Sequence, residues 1–138
     1  MQTFLPYVDY AKCAQCLDNK RLPNQVNREV LTLIRGGWPN HPIAKMWKGH
    51  EFQLGLYGLA CCRELKQRGY KYKKTRKKII FEMIKALFGL KTTKKPIWMG
   101  DERLHSSHRA NLLRKDPIYY KQFGWTESPE MPYWWWKE

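Results

Sequence analysis

The chain has 138 residues, of which 43% are hydrophobic and 14% aromatic, a composition that indicates one folded domain and excludes a disordered protein. Its 26 Lys and Arg residues outnumber its 12 Asp and Glu residues, giving a formal net charge of +14. A compact domain with such an excess repels itself, so the charge indicates a polyanionic partner, with nucleic acid as the first candidate.

The N-terminal third is predicted to hold an arm and a long helix. The first dozen residues contain Pro6 and little periodicity, so we expect an extended arm. A first helix is predicted to begin within Cys13–Leu22 and to continue, with an irregularity near Pro23, through Arg35. Apolar residues recur there at helical spacing, at Leu22, Val26, Val30, Leu33 and Ile34.

Glycine and proline residues indicate helix ends and turns in the middle of the chain. Gly36-Gly37 is predicted to end the first helix, and the run WPNHP, residues 38–42, to form a constrained turn. A second helix is predicted to run from Ile43 to Gly69, because apolar residues and one histidine share one face. These residues are Ile43, Met46, Trp47, His50, Leu54, Tyr57, Cys61 and Leu65.

Three further helical segments complete the prediction. A third helix is expected from Thr75 to Phe88, with an inward face. That face comprises Ile79, Ile80, Met83, Ile84 and Leu87. A basic link at residues 91–96 precedes a fourth helix at residues 101–115, and Pro117 opens a short fifth turn carrying Tyr119, Tyr120 and Phe123. No internal repeat and no period-two strand is visible, so we predict a single all-α, compact multi-helix domain over residues 1–138.

Two features bear on metals and membranes. Cys13 and Cys16 have zinc-like spacing, but the adjacent pair Cys61-Cys62 suits a single metal poorly, so we interpret Cys61 as a core residue and the others as free thiols. No stretch approaches the roughly 18 consecutive apolar residues of a membrane span. The start MQTFLPYVDY lacks a secretory pattern. We expect a monomer with no membrane association and a cytoplasmic or otherwise intracellular location, wherever the host or viral DNA lies.

The positive charge is concentrated between Lys66 and Lys95, a stretch with a single acid, Glu82. At its centre, YKYKKTRKK alternates tyrosines with lysines, and its Lys73, Lys74, Lys77 and Lys78 are candidate phosphate contacts. A helix-turn-helix, zinc-finger or heptad signature is missing, so contacts that read base sequence are not indicated. Such binding is typical of a protein that searches DNA for a structural fault.

Three polar clusters stand apart from that charge. In LDNKRLPNQVNRE, residues 17–29, a helix stripe can present Arg21, Gln25 and Glu29, with Arg28 beside them, although a salt-bridged surface helix is an equally good interpretation. The second cluster is the NHP turn with His41, followed by His50. The third is HSSHR, residues 105–109, in which His105 and His108 lie one turn apart without a clear third metal ligand.

The chain resembles the small pyrimidine-dimer DNA glycosylases of phage and bacterial type, and more closely an uncharacterised bacterial branch related to them. The matching pieces follow one another in order along most of the chain. They are MQTFLP, LDNKRLPNQVNRE, the NHP turn with MWKGHEFQLGLYGL, ELKQRGY, and LLRKDPIYYKQFGW. The resemblance implies an all-α fold whose N-terminal arm threads between helices and brings the α-amine to double-stranded DNA that contains a damaged or modified base.

The resemblance also implies a chemistry and a set of residues. The α-amine attacks C1′ of the sugar, expels the base and forms an imine, whose β-elimination nicks the strand without metal or other cofactor. Bulky Gln2 should leave Met1 in place, so the nucleophile is the amine of Met1. The catalytic carboxylate maps to Glu29, with Asp18 as the substitute if the alignment is shifted. The expected DNA contacts, including the lysines above, are Lys20, Arg21, Gln25, Arg28, His41, His50, Lys73, Lys74, Lys77, Lys78, His108, Arg109 and Lys115.

Other functions stay open on the sequence alone. The chain fits a glycosylase for a modified base unrelated to ultraviolet damage, or a non-catalytic basic DNA-binding module on the same fold. A weaker alternative is a metal-dependent nuclease that uses His105 and His108. The sequence also leaves open whether Trp134–Trp136 contact DNA or pack against the domain.

Overall fold

The computed structural model describes residues 2–137, and within them every regular element is helical. The predicted all-α fold is therefore confirmed. The elements are α1 (Tyr10–Cys16), α2 (Arg21–Asn24), a π-helical segment (Gln25–Val30), α3 (Leu31–Ile34), α4 (Pro42–Trp47), α5 (Glu51–Gln67), α6 (Lys73–Phe88), α7 (Glu102–Lys115), α8 (Pro117–Tyr120) and a 3₁₀ turn (Lys121–Phe123).

The predicted first helix is two separate pieces. α1 begins at Tyr10 because the Asp9 side chain accepts hydrogen bonds from the first free N–H groups of the helix. Leu17 then adopts an extended conformation and ends α1. α2, the π-helical segment and α3 form the second piece, and Pro23 lies in the first turn of α2, where a missing N–H costs nothing.

The predicted single helix from Ile43 to Gly69 is wrong, because the chain breaks between α4 and α5 at residues 48–50. Gly49 has a φ of +85°, a left-handed conformation that no α-helix contains and that glycine adopts without strain. His50 therefore does not lie on the apolar face of a helix. It occupies the N-cap position of α5, where its side chain makes no capping hydrogen bond.

α6 packs on α5 through a narrower face than the sequence predicts. Ile79 and Met83 are buried as expected, but Ile84 and Leu87 are each 46% exposed, so their inward placement is wrong. The reason is the glycine pair on α5: a methyl group on Gly55 would lie 2.2 Å from Met83 Cγ, and one on Gly58 would lie 2.8 Å from Ile79 Cδ1. The contact between the two helices therefore buries Ile79 and Met83 of α6 and leaves Ile84 and Leu87 exposed to solvent.

The N-terminal segment, residues 2–9, contains no helix, yet residues 2–6 are buried. On one side it contacts the π-helical segment and α5. Gln25 Nε2 donates to the Gln2 carbonyl at 2.8 Å, while the Phe4 N–H donates to Gln25 Oε1 at 2.9 Å. The Tyr57 hydroxyl lies 2.7 Å from the Phe4 carbonyl, and Trp47 Nε1 donates to Thr3 Oγ1 at 2.9 Å.

On its other side the same segment is held by α7. The Leu5 N–H donates to His108 Nδ1 at 2.9 Å, and His105 Nδ1 donates to the Leu5 carbonyl at 2.7 Å. Arg109 donates to the Pro6 carbonyl at 2.8 Å. The backbone polar groups of this irregular segment are thus satisfied by side chains, which is what allows it to be buried.

The cysteines are all free and all buried, which confirms Cys61 as a core residue and places the other three in the interior as well. Among residues 2–137, the His, Cys, Asp and Glu side chains nowhere gather in threes to form a possible metal site. None of the helices in that same part of the chain combines the length and the apolar character needed to cross a membrane.

Candidate active site

A cavity of about 310 Å³ opens between the N-terminal segment, the π-helical segment and the end of α7. The predicted stripe of Arg21, Gln25 and Glu29 faces this cavity together with Lys20 and Lys115. Its lining residues are Gln2, Phe4, Lys20, Arg21, Asn24, Gln25, Glu29, Lys115 and Tyr133. The cavity therefore collects residues that are distant in the sequence and mostly polar.

Glu29 is the carboxylate of this cavity, and it is only 8% exposed. Burial raises its pKa, and the nearby Arg28 guanidinium opposes this rise. Its buried Oε2 accepts no hydrogen bond from any residue in the range 2–137. A buried carboxylate oxygen without a partner is costly, and such groups are typical of catalytic or ligand sites.

The other predicted carboxylate, Asp18, has a different environment. Its Oδ2 lies 3.1 Å from Arg21 Nη1, and its Oδ1 accepts a hydrogen bond from the Tyr120 hydroxyl at 2.8 Å. Asp18 does not line the cavity. Its position holds the Arg21 guanidinium, which does line it.

Three cations line the same cavity as the carboxylate. Lys20, Arg21 and Lys115 line the cavity, and partial burial, with the nearby guanidinium groups of Arg21 and Arg114, lowers the pKa of Lys115. The Lys115 ammonium lies 6.0 Å from the Phe4 ring centroid. Three cations against one carboxylate make the cavity attractive to a phosphate group and to the electron-rich groups of a nucleotide.

A basic groove of about 700 Å³ lies beside the first turn of α6. Three of the four predicted phosphate contacts line it, namely Lys73, Lys74 and Lys78, whereas Lys77 is exposed on the same helix outside the groove. The groove's other lining residues are Asn27, Gly69, Tyr70, Lys71, Tyr72 and Thr75. Asn24 lines the cavity and Asn27, three residues later, lines the groove, so one helix joins the two.

Besides Lys77, three more predicted DNA contacts lie outside both the cavity and the groove. Arg28 is exposed on the π-helical segment. His41 caps α4 by accepting a hydrogen bond from the Ile43 N–H at 3.1 Å. His50 is half-buried ahead of α5, and among residues 2–137 its Nδ1 finds no hydrogen-bond partner.

Two more hold the N-terminal segment, with His108 in the interior and Arg109 partly buried. His108 is 1% exposed, and burial lowers its pKa to about 3, so its Nδ1 is free to accept the Leu5 N–H. Burial also lowers the pKa of His105. Arg109 is paired with Glu127, 3.0 Å from its Nη2, as well as with Glu102. These α7 residues hold the N-terminal segment. Both ring nitrogens of His105 are engaged in hydrogen bonds, whereas His108 Nε2 is buried and has no hydrogen-bond partner among residues 2–137.

Sequence reasoning missed several lining residues, chiefly Gln2, Phe4 and Tyr133. The buried start of the chain gives no periodic signal, and only its backbone contacts with Gln25 bring Gln2 and Phe4 to the cavity. Tyr133 comes from the irregular tail, where helical spacing predicts nothing. The tail tryptophans pack partly on the domain, with Arg103 stacked 4.6 Å from the Trp134 ring centroid.

Taken together, the all-helical fold, the buried carboxylate among cations and the lysine-lined groove define a protein that acts on a polyanion. The family model described as pyrimidine dimer DNA glycosylase matches residues 1–78, which is more than half of the 138 residues. The chain therefore belongs to the pyrimidine dimer DNA glycosylase family, a family of DNA repair glycosylases. The match includes Glu29 and the groove lysines but not Lys115 or Tyr133. Searches of curated proteins and of solved structures found no match.

Proposed function

We propose that the protein is a DNA glycosylase and AP lyase that removes a damaged or modified pyrimidine from double-stranded DNA and nicks the strand. The observation that carries the proposal is the location of Glu29 in a cationic cavity that Gln2 also lines, buried and with one oxygen that no residue from 2 to 137 pairs. Residue 1 precedes Gln2 and lies outside the described residues, so its part in the reaction is inferred from the family.

The proposed nucleophile is the α-amine of Met1. An α-amine has a pKa near 7.7–8.0, so roughly a tenth to a fifth of it is neutral at pH 7, whereas a lysine must be shifted by several pH units to match it. The nitrogen lone pair attacks C1′, and the bond from C1′ to the base breaks with its electron pair on the base, which takes up a proton. In the resulting N-glycoside the C1′–O4′ bond breaks with its electron pair on O4′, which takes up a proton, while the nitrogen loses a proton and forms the C1′=N imine. The imine then loses a proton from C2′, and the 3′ phosphate leaves by β-elimination.

Glu29 supplies the charge and the proton transfers that this sequence of steps needs. As a carboxylate it stabilises the cationic sugar, and its raised pKa lets it hold and release a proton closer to neutral pH than an ordinary glutamate does. Arg21, Lys20 and Lys115 are suited to the flanking phosphates. Asp18, with both oxygens already engaged, serves to position Arg21.

DNA binding is assigned to the basic groove and the cavity together. A duplex laid along the π-helical segment would contact Lys73, Lys74 and Lys78 on one side of Asn27 and enter the cavity on the other. The damaged nucleotide or its partner must leave the base stack to reach the cavity, which a damaged pair permits at lower cost.

The test is borohydride trapping with a duplex that contains one abasic site, followed by mapping of the attached peptide. The DNA should be attached at residue 1, and selective acetylation of the α-amine should abolish trapping while DNA affinity persists, because only one of many positive charges is removed. A DNA adduct on Lys20 or Lys115 would contradict the proposed nucleophile. Absence of both trapping and base release would leave a non-catalytic DNA-binding module.

The carboxylate is tested by a matched pair of variants. Glu29→Gln preserves shape and should reduce base removal by ~10²-fold or more, since charge stabilisation and proton transfer are both removed. Asp18→Asn should have a smaller effect, seen mainly in DNA affinity through Arg21. The reverse order of effects would assign the catalytic role to Asp18.

A further inference from the structure

The outer face of α6 carries a contiguous apolar stripe that the proposed reaction does not use. Phe81, Ile84 and Phe88 are 60%, 46% and 85% exposed, respectively. At 100° per residue they lie on the side of the helix opposite the buried Ile79 and Met83. None of the three lines the cavity or the basic groove.

The spacing of this stripe is that of a helix-pairing seam. Residues 81, 84 and 88 follow one another at intervals of three and four, which are the seam positions of a short two-stranded helical contact. One edge of the seam carries the apolar side chains of Ile80 and Leu87, with Lys73 nearer the start of the helix. Lys77, four residues before Phe81, continues the seam toward that end. A partner helix packed here buries large apolar surface without disturbing the α5–α6 contact.

The other edge of the seam is basic. Lys74, Lys78 and Lys85 lie along it, and all three are exposed. The acid of α6, Glu82, lies 3.5 Å from Lys85 and neutralises only part of this charge. Charges at the edges of a helical seam select the partner, because like charges repel and opposite charges attract across it.

We propose that the outer face of α6, residues 81, 84 and 88 with their basic edge, is a docking site for an acidic amphipathic helix of another protein. A second copy of this chain fits poorly, because an antiparallel pair places each lysine edge against its own counterpart. DNA offers phosphates for the lysines but nothing apolar of matching length for Phe81 and Phe88.

This inference does not rest on the proposed glycosylase reaction, although its basic edge shares Lys74 and Lys78 with the basic groove. Its test begins with a selection. A library of random helical peptides would be selected on the full-length protein, with counter-selection on Phe81→Ser/Phe88→Ser. The enriched peptides should carry apolar residues at intervals of three and four, with Asp or Glu beside them. A selected peptide should bind the double variant at least about tenfold more weakly, because two large apolar side chains no longer pack against it.

Two controls distinguish binding at this face from nonspecific hydrophobic binding and from nonspecific electrostatic attraction. Val8→Ser/Ile118→Ser removes exposed apolar groups elsewhere and should leave peptide affinity unchanged. Lys85→Glu should lower the affinity for the acidic peptide several-fold. A peptide with Lys at the position that faces residue 85 should bind this variant with restored affinity. DNA cleavage should be unchanged in Phe81→Ser/Phe88→Ser.

Five outcomes would overturn the proposal. The first two are no saturable peptide binding and enrichment of peptides without acidic residues. The third is a dimer in sedimentation that Phe81→Ser/Phe88→Ser dissociates, which would make this face an interface between copies. The fourth is vesicle binding that needs the two phenylalanines, which would make it a lipid contact. The fifth is a drop in DNA affinity in the double variant, which would make the stripe a DNA wedge.

Discussion

Glu29 carries a prediction about pH. Burial raises its pKa above the ordinary carboxyl range, and the proposed role requires the ionised form when the sugar becomes cationic. Activity on a duplex with an intact backbone should therefore rise with pH in two steps. The lower step reports Glu29 and has its midpoint above ~4.3, the usual glutamate value, and the upper step reports the α-amine near ~7.7–8.0. The lower step is measured as kcat/KM for base release between pH 4 and pH 8.

The control for this pH dependence is the affinity for DNA. DNA affinity measured over the same range should not follow the lower step, because Glu29 is one acid in a strongly cationic surface. A lower step with its midpoint at or below the ordinary glutamate value, or a lower step that survives in Glu29→Gln, would remove Glu29 from the chemistry, whereas the upper step of the α-amine should persist in that variant.

Gln25 carries a second prediction at the residue scale, through its hydrogen bonds to Gln2 and Phe4. Gln25→Leu keeps the volume but orphans a buried carbonyl and a buried N–H, at a cost of ~1–3 kcal/mol for each. The free energy of unfolding should fall accordingly in urea titration. Trapping on abasic DNA should slow more than DNA affinity weakens, because the chain that leads to residue 1 is no longer fixed.

Gln53 is the matched control, since it is also a buried glutamine, bonded to the Tyr10 hydroxyl and the Thr93 carbonyl away from the cavity. Gln53→Leu should lower stability to a similar extent and leave the trapping rate unchanged. Equal slowing of trapping in both variants would mean that Gln25 acts through stability alone.

At the scale of elements, α7 makes a clear pH prediction for stability. The folded pKa of His108 is about 3 against an ordinary value of 6.5, so between these values the unfolded chain binds the extra proton. Stability is therefore complete above pH 6.5 and falls as the pH drops, by ~1.4 kcal/mol per pH unit from this residue. Urea unfolding at intervals from pH 7.5 to pH 4.5 measures this slope.

His108→Gln provides the comparison, because a glutamine oxygen can accept the Leu5 N–H without titrating. The variant should be less stable than wild type at pH 7.5 yet lose less stability on acidification. Parallel pH dependences in the two proteins would show that His108 does not titrate on unfolding.

The elements also show where sequence reasoning succeeds. Strong periodicity located α6 and α7, and Pro117 marked the start of α8, because these signals are local. The break at Gly49 was missed because the apolar spacing on either side continues through it by coincidence. The exposure of Ile84 was missed because helical spacing alone does not reveal how closely Gly55 and Gly58 draw the two helices together.

Some residues of the candidate site could also be predicted from the sequence, and others could not. The stripe of Arg21, Gln25 and Glu29 was predictable from helical spacing, and the structure places it on one cavity. Tyr133 was not predictable, because it reaches the cavity from an irregular tail. His108 was misplaced on the DNA surface because its residue type suggests function, while its burial depends on contacts with a segment 103 residues away.

For the whole molecule, the formal charge of +14 predicts binding that depends strongly on salt. Replacing Lys73, Lys74, Lys77 and Lys78 with alanine should weaken affinity for all DNA sequences alike. It should also flatten the dependence of log affinity on log salt concentration by up to ~0.9 for each phosphate that the protein no longer neutralises. Fluorescence anisotropy over a range of salt concentrations gives the slope.

The matched control changes the net charge equally at four other exposed lysines, Lys12, Lys45, Lys48 and Lys121. If the basic groove is the binding surface, this control should keep most of the slope. Equal flattening in both quadruple variants would indicate diffuse attraction without a defined groove, and an unchanged slope in the first would place the surface elsewhere.

The anchoring of the N-terminal segment on α7 has a consequence for how the protein is made. Leu5 leaves the ribosome early, whereas its partner His108 follows 103 residues later. Until α7 is synthesised, one side of the segment has no partner, and the cavity still lacks Lys115. Contacts of such long sequence separation are entropically slow to close. The proposed active site should therefore be among the last parts of the chain to form, and a nascent fragment should not attack DNA.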